Sequence, residues 1–223
     1  MTAPLALLGG TFDPVHYGHL RFADAIRRTL GLPELRLVPA RDPPHRAGPQ
    51  ASAQDRRAML ELAVAEFPGL VVDPREIARA GKSYTVLTLE ALRREDPARP
   101  LLLLLGADAF LGLPTWHRWR EIFTLAHLVV VPRPGVALAP ALPPALVPEW
   151  NARLTRDPAV LFSTPAGAIY EAYVPPQPIS ATAIRVALAQ GPAGRQDIAQ
   201  LMPRAVLAYI DQHGLYFTPP DAT

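Results

Sequence analysis

Leu5-Ala6-Leu7-Leu8-Gly9-Gly10-Thr11-Phe12-Asp13-Pro14-Val15-His16-Tyr17-Gly18-His19 is the stretch on which the reading of this chain turns. Leu5 to Leu8 is a short apolar run closed by a glycine pair. From Gly18 onward, Leu20, Phe22, Ala23, Ile26 and Leu30 recur at helical spacing until Gly31. The pattern predicts strand, loop and helix, with Gly31 as the helix stop. Ligands of open α/β sheets lie beyond the carboxyl ends of the strands, so this loop is the first place to look for chemistry. It matches neither the Walker pattern nor the dinucleotide-binding glycine fingerprint, which disfavours a P-loop kinase or an ordinary dehydrogenase.

Outward from this unit, strands and helices alternate. Leu35 to Val38 reads as a second strand, Ser52 to Asp55 as a capping box before a helix over 53–66, and Val71-Val72-Asp73 as a third strand. Tyr84 to Arg94 reads as a helix with Ser83 as N-cap. Leu101 to Leu105 is an unbroken apolar run suited to a strand buried on both faces. His127 to Val131 and Ile169 to Val174 supply a fifth and a sixth strand; Ser180 caps a helix over 181–190, and another runs over 203–213 to Gly214. Such alternation predicts a doubly wound, mostly parallel α/β sheet with a helical C-terminal region. Residues 132–148, rich in Pro and Ala without periodicity, read as a surface insertion.

At 223 residues and 49% hydrophobic, the chain can bury one core and is short for two, so a single domain over 1–223 is expected. No basic segment precedes the opening apolar run, and no stretch reaches the roughly 18 apolar residues of a membrane span. The absence of cysteine excludes disulfide scaffolds, zinc knuckles and thiol nucleophiles, and points to a soluble, cytoplasmic protein. Net charge is +2 and the basic residues are scattered, so no nucleic-acid footprint is present. Lys82 is the only lysine, and it suggests no function.

Gly9 and Gly10 let backbone amides approach an anion, and the helix that follows aims its first N–H groups at the same place. His16 and His19 flank Gly18 at that helix start, where two imidazoles can donate to phosphate oxygens whose charge shifts during transfer. The same two residues could instead be capping or packing histidines, or a metal pair with Asp13. A second anion site is readable in Ile179-Ser180-Ala181-Thr182-Ala183-Ile184-Arg185, where Ser180, Thr182 and the helix amides gather and Arg185 offers a forked cation. By itself this segment would read as a capped surface helix.

Together the two segments resemble the H-x-G-H and I-S-x-T-x-I-R signatures of one nucleotidyltransferase superfamily. Over nearly its whole length the chain is similar to the nicotinate mononucleotide adenylyltransferases, at Pro43-Pro44-His45-Arg46, Gly81-Lys82-Ser83-Tyr84-Thr85, Leu105-Gly106-Ala107-Asp108, Pro114-Thr115-Trp116 and Val131-Pro132-Arg133-Pro134-Gly135. Ala181 stands where many members carry a second Ser, and Arg46 where many carry Lys. The resemblance implies a Rossmann-like fold and transfer of adenylyl from ATP to nicotinate mononucleotide, giving nicotinate adenine dinucleotide and pyrophosphate on the route to NAD. It implies His16, His19 and Arg185 as catalytic residues. Gly9, Gly10, Thr11, Phe12, Gly106, Asp108, Ile179, Ser180 and Thr182 would hold ATP. His45, Arg46, Ser83, Tyr84, Thr85 and Trp116 would surround nicotinate mononucleotide. Mg2+ would be carried mainly on ATP oxygens, with no metal ligands from the protein. The rivals are a related enzyme acting on nicotinamide mononucleotide or phosphopantetheine, and a nucleotide-binding regulatory domain without turnover.

Overall fold

Strands made of unbroken apolar runs need cover on both faces, and the helices supply it. The computed structural model describes residues 3–43, 48–132, 135 and 137–217. Its first half is β1 (Leu5–Gly10), α1 (Tyr17–Thr29), β2 (Leu35–Pro39), α2 (Ala53–Val64) and β3 (Leu70–Val72). A short α3 (Arg75–Ala78) then leads to α4 (Thr85–Glu95), β4 (Leu101–Gly106), α5 (Ala107–Leu111), α6 (Trp119–Leu125) and β5 (His127–Val131). The remainder is α7 (Val147–Arg153), β6 (Leu154–Thr155), α8 (Val160–Ser163), β7 (Ile169–Glu171), α9 (Ala181–Ala189), α10 (Pro192–Ile198) and α11 (Arg204–Gln212).

The seven strands form one parallel sheet in the order β3-β2-β1-β4-β5-β7-β6. Strand order runs one way from β1 and the other way from β4, so a crevice opens beyond the carboxyl ends of this central pair. The doubly wound, Rossmann-like α/β fold expected from the alternation is therefore present, with every described strand parallel. Side chains alternate between two cores. Ala6, Leu102, Leu104 and Val129 face Leu20, Ile26, Met59, Ile184 and Val206, whereas Leu5, Leu7, Leu103 and Val130 face Leu89, Phe110, Ile122 and Phe123. Gly31, at φ +62, takes the left-handed turn that ends α1.

Several local expectations are corrected. Ser83 is not the cap of α4; Tyr84 holds that position with extended backbone, because the Ser83 hydroxyl accepts the Arg41 N–H at 2.9 Å and a tertiary partner wins over a local one. The strand expected over Ile169 to Val174 stops at Glu171 as the chain approaches Pro175-Pro176, and the two-residue β6 is too short to leave a periodic signal. Within the stretch read as a surface insertion, Leu138 and Leu146 are buried in the same core as Phe110 and Trp150.

His127, fully buried at the start of β5, accepts the Ala168 N–H at Nδ1 (3.0 Å) and lies 2.7 Å from the Thr164 carbonyl through Nε2, so its proton sits on Nε2. Burial holds this imidazole below its ordinary range. The unfolded chain binds a proton near pH 6.5, which the folded chain takes up only at lower pH. The stabilisation is thus complete above about pH 6.5 and is lost as pH falls toward the folded value. The thermal midpoint is expected to drop between about pH 7.5 and about pH 5, and to drop less in His127→Gln. An equal drop in the variant, followed by circular dichroism, would show that His127 is not the source.

Candidate active site

The loop after β1 is organised by a buried carboxylate. Asp13 accepts the N–H groups of Gln50 (2.9 Å) and Ala51 (3.1 Å) and the Tyr216 hydroxyl (2.7 Å). Arg56, on α2 and 1% exposed, donates to the carbonyls of Thr11 (2.8 Å), Ala40, Arg41 (3.0 Å) and Ala51 (3.3 Å). One guanidinium thus joins the loops after β1 and β2, since its five donors can serve several carbonyls at once. From the far end of the chain, Arg185 donates to the Asp13 carbonyl at 2.7 Å and to the Thr182 hydroxyl at 3.3 Å. Ser180 caps α9 by accepting the Ala183 N–H, as its position predicted. The two signature segments, 172 residues apart at Asp13 and Arg185, therefore meet.

His16 precedes α1 and is 4% exposed. Its ring stacks on that of His19, centroids 3.8 Å apart and planes 29° apart, and the edge of Phe12 meets His19 at 5.1 Å. Burial pushes His16 down to about 4, so it stands neutral near pH 7, and its Nδ1 is buried with no hydrogen-bond partner among the described residues. Stacked rings direct their in-plane lone pairs side by side rather than toward one point, which is unfavourable for a shared tetrahedral ion. The helix does not offer all its first N–H groups, since Tyr17 donates to the Leu201 carbonyl at 2.8 Å. Phe12 turns through the left-handed region (φ 51) and its ring is buried, leaving its backbone as the part that can approach a ligand.

A cavity of about 380 Å³ lies beyond β1 and β4. Of the residues expected to hold ATP, its walls include Gly9, Gly10, Thr11, Gly106 and Asp108; of those expected to hold the acceptor, they include Ser83, Tyr84, Thr85 and Trp116. Phe12, His16, His19, Ile179, Ser180, Thr182 and Arg185 stand outside that lining. His45 and Arg46 lie outside the described residues. Three residues were missed by sequence reading. Arg56 carries no local signal that separates it from the other arginines of the chain. His117 lines the cavity with its ring 4.4 Å from Tyr84, and its place directly after Trp116 was the available signal. Glu76 lines the cavity from the unforeseen α3, 7% exposed, with burial raising its carboxyl above the usual range.

A parallel sheet whose switch point carries two helix-start segments joined through Asp13 defines a nucleotidyltransferase of the cytidylyltransferase-like class, and a family model of that description matches residues 7–187. Within that class the relatives are more specific. A Halorhodospira halophila protein named "Probable nicotinate-nucleotide adenylyltransferase" is 49% identical over 215 residues, 96% of each chain. A Pseudomonas fluorescens protein of the same name is 51% identical over 96% of this chain and 98% of its own. The chain belongs to the nicotinate-nucleotide adenylyltransferase family. At the level of fold alone, it matches the Plasmodium falciparum nicotinic acid mononucleotide adenylyltransferase complexed with NaAD, at TM-score 0.71 and 16% identity over 96% of this chain and 98% of that one.

Gly18 shows why the first signature requires glycine between its histidines. A Cβ there would sit 2.7 Å from His16 Nδ1 and 3.3 Å from Ile179 Cβ, so a methyl group would push the imidazole and the second segment apart. Glycine to alanine ordinarily stabilises a helix by up to about 1 kcal/mol. Gly18→Ala is expected instead to lower turnover by about 10²-fold with little gain in melting temperature. Full activity in the folded variant would show that the His16 ring position is not needed.

Proposed function

We propose that this protein transfers the adenylyl group of MgATP to nicotinate mononucleotide, forming nicotinate adenine dinucleotide and pyrophosphate. The observation that carries the reading is one cavity at the switch point, walled by Gly9, Gly10 and Thr11 from the first signature and by Tyr84, Thr85 and Trp116 from the segments matched to the acceptor. The near full-length identity to relatives bearing that name supports it. We also infer a single domain over 1–223, a cytoplasmic location, and no nucleic-acid or membrane partner.

A phosphate oxygen of the acceptor attacks the α-phosphorus of ATP; a new P–O bond forms, the bond to the β-phosphate oxygen breaks, and pyrophosphate leaves with the electron pair. The nucleophile is already anionic, so no general base is required. The protein's part is to align two polyanions and to stabilise charge on the bridging and leaving oxygens. Gly9 to Phe12 offer backbone donors, His16 and His19 a paired imidazole face, and Ser180, Thr182 and Arg185 a second set beside the same loop. Arg185 is held ready by the Asp13 carbonyl. Among the described residues, no group of three or more His, Asp or Glu is placed to hold a metal ion. Mg2+ is expected to arrive with the nucleotide, coordinated mainly by ATP oxygens and water.

Pyrophosphate release from MgATP should be seen with nicotinate mononucleotide and far less with nicotinamide mononucleotide or phosphopantetheine. Backbone N–H donors pair with both oxygens of a carboxylate but meet the N–H groups of a carboxamide donor to donor. The kcat/KM ratio for acid over amide is expected to be about 10² or more. A ratio near one would defeat the acceptor assignment while leaving adenylyl transfer intact. His16→Ala and Arg185→Ala should each lower kcat by about 10²-fold with smaller effects on ATP affinity, because they act on charge that moves in the transition state. Near-normal kcat in both folded variants would overturn the mechanism.

A further inference from the structure

We propose that Glu76 is the positioning residue that gives the acceptor end of the cavity its preference for a pyridine carboxylate, acting through the hydroxyl of Thr88. The proposal rests on the nicotinate reading above. Its starting point is a mismatch: a buried carboxyl lines the very cavity that must receive a second carboxylate. Bare, Glu76 would repel nicotinate and would offer an acceptor to the amide of nicotinamide.

The surroundings of Glu76 engage one of its oxygens. Thr88, 3% exposed, donates its hydroxyl to Glu76 Oε1 at 2.6 Å. Thr88 Oγ1 also faces Arg79 Nη2 at 3.5 Å, and Ser83 Oγ accepts the Arg41 N–H at 2.9 Å. Arg79 adds a favourable charge nearby.

The same bonds position the turn that meets the substrate. Ser83 stands just before Tyr84-Thr85 and Thr88 one turn into α4, so the helix start is held on one side by Arg41 through Ser83 and on the other by Glu76 through Thr88. The N–H groups of Leu87 and Thr88 are turned inward to the Tyr84 carbonyl. Those of Thr85 and Val86 belong to the first turn, which has no intrahelical acceptors for them. Ser83 N–H is held by the Asp42 carbonyl at 3.0 Å, which fixes the approach to that turn. A first helical turn whose Thr85 lines the cavity, and a carboxyl behind it engaged by Thr88, together favour an acid over an amide.

The test is steady-state kinetics on the full chain with nicotinate mononucleotide and with nicotinamide mononucleotide, for wild type, Glu76→Gln, Thr88→Val and Thr88→Ser, with KM for ATP as internal reference. Thr88→Val keeps shape and loses only the donor, so it carries the test even if Glu76→Gln does not fold. In Thr88→Val and Glu76→Gln, KM for nicotinate mononucleotide should rise about tenfold or more, and the acid-to-amide kcat/KM ratio should fall by a similar factor, as leaving one buried polar group unpaired implies. KM for ATP should stay within about twofold, and Thr88→Ser, which retains the hydroxyl, within about threefold of wild type on both acceptors. An unchanged ratio in Thr88→Val, or equal losses on the ATP and acceptor sides, overturns the proposal whatever the melting temperature does. A wild type that turns over no nicotinate mononucleotide fails the reading of function itself and takes this proposal with it, an outcome distinct from an active wild type whose ratio does not move.

Discussion

Burying the carboxylate of Asp13 is the constraint on which the loop after β1 depends. Taking a carboxylate out of water costs several kcal/mol unless its oxygens are fully engaged. Two backbone N–H groups from residues 50 and 51 and the Tyr216 hydroxyl engage them, and the charge of Arg56 lies close by. Three segments far apart in sequence are thereby obliged to converge on the loop after β1. The Tyr216 hydroxyl, buried against this carboxylate, is held strongly toward its protonated form, so it remains a donor throughout the working pH range.

Around that anchor the loop itself can be strained. Phe12 occupies the left-handed region, which costs a bulky residue about 1–3 kcal/mol. The cost is sustained because the Phe12 ring fills space over Gly10, where even a single Cβ would approach it to 2.9 Å, and because Arg56 holds the Thr11 carbonyl. The result is a rigid turn that sets the His16 and His19 rings face to face and leaves His16 neutral. A neutral imidazole can donate to a polyphosphate without having attracted a competing anion beforehand.

What was legible in the sequence follows from the range of the interactions concerned. The central strands announced themselves because Leu101 to Leu105 is apolar on both faces, and α1 because its pattern runs from Leu20 to Leu30 and ends at Gly31. Ser52 capped α2 as expected, its hydroxyl 3.1 Å from the Asp55 N–H, since both partners are local. Ser83 offered the same local signal and did something else, because Arg41 lies outside any sequence window. For the same reason Arg56, Glu76 and His117 went unread: each acts through neighbours that only the fold brings near. Leu138 and Leu146 were hidden by the prolines around them, which erase periodicity without preventing burial. The paired signatures were legible as two helix-start segments. That Arg185 would rest on the Asp13 carbonyl was not, since the contact spans 172 residues.

The two ends of the cavity are built from different parts of the chain. On the proposed reading, the nucleotide end draws on the C-terminal region, where the Leu201 carbonyl holds Tyr17, Tyr216 holds Asp13, and Arg185 joins the loop. On the same reading, the acceptor end draws on residues 76–88 and 106–117, tied to the loop after β2 through Arg41 and Ser83. Between them stand β1 and β4, paired from Leu5 to Leu7 against Leu101 to Leu103 and packed on both faces. In-line transfer tolerates displacements of only about 1 Å between nucleophile and phosphorus before rates fall by about 10²-fold. The reaction therefore depends on that strand pair as a rigid spacer, although few of its side chains face a substrate. Substitutions at the C-terminal ties should disturb the handling of ATP, and substitutions around Glu76 the handling of the acceptor, because each set reaches the other only through a sheet too well packed to yield.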